Sequence, residues 1–109
     1  MAVHHFGLMT RAPEQGERFD RFEPERFGSI SVRDELLDGL IKSFSAVKTY
    51  WHCTDAPGSG LNEAGVTLIP PSSAGRMASM IGRREALMEL GKLFNEADRT
   101  QKWLIHFGI

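Results

Sequence analysis

Four histidines, His4, His5, His52 and His106, with Tyr50 and the single cysteine Cys53, are the side chains of this 109-residue chain best suited to acid–base or metal chemistry. An imidazole titrates near neutral pH and binds metals through either nitrogen, so its neighbours decide its role. His4 and His5 are adjacent and point to opposite faces of any strand that carries them, so only one can join the others. Neither an HExxH nor a His-x₃-His helix pair occurs, and the residue set points to no metal site and no cofactor.

One cysteine makes neither an intramolecular disulfide nor a cysteine-based zinc site. On a strand, Cys53 points away from His52 and shares a face with Trp51, which predicts a buried structural thiol rather than a nucleophile. There is no Gly-x-Ser-x-Gly elbow. Ala56-Pro57-Gly58-Ser59-Gly60 is glycine-rich but lacks the Lys-Ser/Thr ending of a phosphate loop. A secondary anion candidate is Ser72, Ser73 and Arg76: Pro71 suits a helix start, Ser72 or Ser73 its N-cap, and Arg76 adds charge one turn later. An ordinary capped helix start explains the same residues.

The elements that position these side chains follow from hydrophobic spacing. Val3–Met9 reads as a short strand, and Gly28–Val32 as a second. Asp34 and Glu35 open a helix whose residues Leu36, Leu37, Leu40, Ile41, Phe44 and Val47 recur at the 3.6-residue period. Thr49–Cys53 is a strand, Asp55–Gly65 a long hairpin connection, and Gly65–Pro70 the next strand. A short helix runs to Ile81 and breaks near Gly82. A longer one carries Leu87, Leu90, Leu93, Phe94 and Ala97, and Trp103–Ile109 is an apolar closing strand. From residue 29 onward this is the βαββαβ order of the ferredoxin-like split βαβ. The expected fold is therefore α+β: a single domain over residues 1–109, an antiparallel sheet with helices on one face, an extra N-terminal strand pairing along the C-terminal one, and a long charged loop at 10–27.

Strand alternation then divides the side chains between two faces. The more apolar set is expected against the helices: Ile30 and Val32, Trp51 and Cys53, Val66 and Leu68, and Trp103, Ile105, Phe107 and Ile109. The other face holds Tyr50, His52, Thr67, Ile69, Leu104 and His106. His52, His106, Tyr50 and Thr67 are thus the candidate ligand or partner face. Loop 10–27 interleaves Phe19, Phe22 and Phe27 with charges of both signs. The phenylalanines argue for a segment pinned to the body, as a partner-binding lid or as a self-paired wrap.

Charge narrows the function classes. Thirteen basic against fourteen acidic residues leave a formal charge of -1, without the basic footprint of a nucleic-acid binder. RNA recognition of the RRM kind shares this strand order, but Val66-Thr67-Leu68-Ile69 offers no stacking aromatic. No polybasic tract, secretory leader or membrane-length apolar run is present, so a cytoplasmic protein is expected, with neither nucleic acid nor membrane as partner. The sequence therefore favours a non-catalytic protein-interaction or self-associating module, with a homodimer as one form. A small ligand-binding domain or enzyme using the His/Tyr face is the alternative.

Overall fold

A computed structural model describes residues 2–109. Among them, the chain forms a mixed α+β domain: a six-stranded antiparallel sheet with three α-helices. The strands are β1 (Val3–Leu8), β2 (Ile30–Arg33), β3 (Lys48–Trp51), β4 (Pro57–Ser59), β5 (Val66–Ile69) and β6 (Leu104–Phe107), in the order β2-β1-β6-β5-β3-β4. The helices are α1 (Leu40–Phe44), α2 (Pro71–Ile81) and α3 (Met88–Thr100), and they share one face of the sheet.

This order corrects the ferredoxin-like expectation. A split βαβ sets strand 28–32 beside strand 65–70, whereas here β1 and β6 stand between β2 and β5; the antiparallel pairing throughout is as expected. The cause is β1. It has neither proline nor charge, bonds β2 through its even-numbered residues and β6 through its odd-numbered ones, and so takes an interior place. Its pairing along the C-terminal strand is as the sequence suggests.

Two elements differ from their expected form. The helix expected from Asp34 to Val47 breaks into a 3₁₀ turn at Asp34–Leu37 and the short α1, because Gly39 adopts a left-handed φ of 83°. Thr49–Cys53 is not all strand: β3 stops at Trp51, where His52 turns to a φ of 69°. The following connection folds β4 back onto β3 rather than leading directly to β5.

Both β5 and β6 are buried on both faces, and this separates two cores. Between sheet and helices lie Phe6, Val32, Phe44, Ile69, Met77, Ile81, Phe94 and Leu104. On the other side lie Met9, Phe19, Val66, Leu68, Ile105 and Phe107, with Phe27, Tyr50 and Trp103 packed against them. Segment 10–27 is the cover of this second core, a wrap held by Phe19 and Phe27. Ile30 and Val32 meet the helices as expected. On β5 and β6 the assignment reverses: Val66, Leu68, Ile105 and Phe107 meet the wrap, while Thr67, Ile69, Leu104 and His106 meet the helices. Ile109, expected in the seal, is half exposed at 52%. The more apolar face had a second cover available, so it did not have to meet the helices.

The wrap is held by charge as well as by ring packing. Arg11 bonds both carboxylate oxygens of Glu17 at 2.8 and 2.7 Å and pushes its pKa down to about 2. Gly7 lets the wrap approach β1: a Cβ there would stand 2.7 Å from the Cβ of Phe27. Gly7→Val is accordingly expected to cost about 1–3 kcal/mol by overpacking and to lower the melting temperature. Urea denaturation measures it; an unchanged midpoint would mean that the wrap does not lie on β1.

Candidate functional site

The two candidate histidines lie on opposite faces of the sheet. His106 sits on β6 between Phe6 of β1 and Thr67 of β5, fully buried under the helices. The residue beside it is not His52 but His4, which follows from β1 lying next to β6. His106 Nε2 is 2.8 Å from His4 Nδ1, and His4 Nε2 is 2.7 Å from Asp34 Oδ1. On the other side, His106 Nδ1 is 3.0 Å from Thr67 Oγ1, and the Asn62 backbone N–H donates to that same oxygen at 2.8 Å.

In an arrangement that satisfies every group, Thr67 accepts from the Asn62 N–H and gives its own hydroxyl proton to His106 Nδ1. His106 Nε2–H then donates to His4 Nδ1, and His4 Nε2–H donates to the Asp34 carboxylate. This hydrogen-bonded chain ends on the Asp34 carboxylate, whose side chain is 35% exposed. Each polar atom has a partner, so the chain joins β5, β6, β1 and the turn after β2 within an apolar layer. Burial, with the neighbouring His4 and His5, holds the His106 pKa well below its usual 6.5.

The neutral His106 gives stability a definite pH dependence. An unfolded chain protonates this imidazole below about pH 6.5 while the folded one resists, so folding stability should fall as pH drops from there. Urea melts between about pH 8 and pH 5 measure the slope, and His106→Leu should flatten it. Thr67→Val removes the acceptor of the Asn62 N–H and is expected to cost about 1–3 kcal/mol. An equal pH slope in wild type and His106→Leu would contradict the neutral assignment.

His52 belongs to a different environment, at the end of β3 facing the wrap. The positive φ that ends β3 is uncommon for a residue other than glycine and is held here by two backbone bonds. The His52 N–H donates to the Val66 carbonyl at 3.1 Å, and its own carbonyl accepts from Phe19 at 2.7 Å. The ring is fixed too: Nδ1 lies 3.0 Å from Asp20 Oδ1 and 3.3 Å from the Phe19 carbonyl, while Nε2 accepts from Asn62 Nδ2 at 3.3 Å. Arg18 grips Asp20 at 2.8 and 3.1 Å, which holds the Asp20 carboxyl below its ordinary pKa.

This histidine stands beside an open cleft of about 310 Å³, lined also by Asp20, Phe22, Val66, Phe107 and Ile109. Val66 and Phe107 supply a buried apolar floor. Phe22 is 63% exposed and packs edge-on against both Phe107 and His5. Asn62 connects the two sites, its backbone N–H serving the buried chain and its side chain serving His52.

The remaining candidates separate. Tyr50 lies in the wrap-side core against Trp103, ring centres 5.8 Å apart, on the same face as the cleft. Thr67 joins His106 but neither His52 nor Tyr50. Of the anion candidates, Ser73 is buried and donates its hydroxyl to the Lys48 carbonyl at 2.6 Å, while Ser72 and Arg76 are exposed. The N-cap is Pro70 without a side-chain bond, so neither serine caps α2. The expected group Ser72, Ser73 and Arg76 is therefore not assembled, because Ser73 is turned inward to fasten α2 to β3. Cys53 is buried as expected, with Arg18 Nη1 3.9 Å from its sulfur. Sequence reasoning missed Asp20 and Phe22 as cleft residues, Asn62 as a partner of His52, and His4, itself bonded to Asp34, as the partner of His106; no periodic pattern marks them.

No protein-family model, no curated protein and no solved structure matches this chain.

Proposed function

We propose that this chain is a protein-interaction module whose His52 cleft receives one apolar side chain of a partner. The observation that carries the reading is the apolar rim of the cleft: Phe22 and Ile109, two of the largest exposed apolar side chains, flank a floor of Val66 and Phe107 beside an oriented imidazole. Exposed apolar groups gathered at a concavity mark binding surfaces, and a side chain buried in such a pocket supplies much of an interface's affinity. His52 supports binding better than proton transfer. Its Nδ1 is committed to Asp20 and Phe19, and its Nε2 already accepts from Asn62.

A free small ligand is the second reading, favoured by the Asp20-oriented imidazole and by a volume near the lower end, roughly 300 Å³, of small-molecule sites. Peptide display distinguishes the two. Selected peptides should share one apolar anchor and perturb the His52 and Phe107 resonances. Phe22→Asp and His52→Ala should each weaken them about ten-fold, or about 1.4 kcal/mol, and Phe22→Asp should do so without lowering the melting temperature. Peptides that bind Phe22→Asp unchanged would overturn the proposal. Fragment-sized compounds shifting His52 where no peptide does would favour the ligand reading.

A further inference from the structure

The two edges of the sheet are built differently. β4 is three residues long, and alternate bonding turns Pro57 and Ser59 outward; Pro57 has no N–H to offer, so this edge is blunted. β2 carries no such device. The Asp34 N–H donates to the Ala2 carbonyl, which fixes the phase of the β1–β2 ladder: Ile30 and Val32 bond inward to β1, and the N–H and C=O groups of Ser31 and Arg33 point outward. Both residues are exposed, and there is neither proline nor bulge between them.

Beside this edge runs a groove walled by Ile30, Val32, Leu36, Leu87 and Met88, the last 53% exposed. A strand added along β2 would turn alternate side chains into it. The groove continues past Ile30 toward α3, and Glu85, Glu89 and Glu96 stand on its rim against Lys92 alone. Arg33 does not offset them, being paired with Glu35 at 3.3 Å.

We propose that β2 is a docking edge on which an extended segment of a partner protein, alternating apolar and basic residues, adds as a further strand. The backbone groups of Ser31 and Arg33 supply the ladder, the groove takes the apolar side chains, and the glutamates select the basic ones. A second copy fits less well. Pairing β2 with itself about Val32 makes the two Arg33 side chains diagonal neighbours and brings two acidic rims together.

The test uses short peptides alternating Val with Lys or Val with Glu, followed by fluorescence anisotropy and amide hydrogen exchange. The Val-Lys peptide should bind, slow exchange at the Ser31 and Arg33 amides, and exceed the Val-Glu peptide about ten-fold, a margin that shrinks with added salt. The surface double variant Glu85→Lys, Glu89→Lys should reverse this preference. N-methylation along one edge of the peptide should abolish binding, and Phe22→Asp should leave it unchanged, which separates this surface from the His52 cleft. The proposal is overturned if the Val-Lys peptide does not bind, if it binds without protecting the Ser31 and Arg33 amides, or if the charge reversal has no effect. Light scattering that shows a dimer, with those amides protected before peptide is added, would assign the edge to a second copy instead.

Discussion

Burial of β5 and β6 on both faces is the constraint from which the rest of the arrangement follows. An antiparallel sheet commonly leaves one face to water, and its strands then alternate cleanly between apolar and polar residues. Here helices cover one side and a wrap covers the other, so each residue of Val66-Thr67-Leu68-Ile69 and Leu104-Ile105-His106-Phe107 must suit a dry environment. Thr67 and His106 meet that demand only through the buried chain that ends on Asp34. The chain is directional, so replacing one member leaves its neighbours with unmatched donors or acceptors. An apolar layer without it would need no such matching. With it, the relative placement of four segments is specified.

The wrap is as much a part of the domain as the helices are. Phe19 and Phe27 bury themselves against the sheet, and the ion pairs Arg11–Glu17 and Arg18–Asp20 are made within the wrap. These exposed pairs contribute little stability individually. Their role at the cleft is geometric: Arg18 holds Asp20, Asp20 holds His52, and His52 closes the end of β3. The candidate site is thus built where the wrap meets the one non-glycine residue of β3's turn with a positive φ.

Much of the fold was legible in the sequence because it depends on local signals. The 3.6-residue spacing of Leu87, Leu90, Phe94 and Ala97 placed α3, Pro71 and Gly82 bracketed α2, and apolar runs marked β1, β5 and β6. What escaped depends on partners remote in sequence. The position of β1 between β2 and β6 cannot be seen in Val3–Leu8 itself. Without it, His4 has no claim on His106, and the faces of β5 and β6 sort wrongly. The four residues of the candidate face divide: His52 and Tyr50 share a side, while His106 and Thr67 face the helices. Asp20 and Phe22 were legible only as part of a charged, phenylalanine-bearing loop, because no repeat or motif signals which residue of an irregular segment will meet a cleft.

The interior place of β6 bears on how the molecule forms. Its neighbours are β1 and β5, and the His4–His106 bond joins residues 102 positions apart. Until that long loop closes, β1 and β2 can pair as a hairpin, and β5, β3 and β4 as a separate ribbon, but no strand pairing joins the two halves of the sheet. The arrival of β6 completes both cores at once, since it contributes Leu104 to one and Ile105 and Phe107 to the other. Such a topology concentrates the entropic barrier in one late, non-local event, which favours slow and cooperative assembly over stepwise growth.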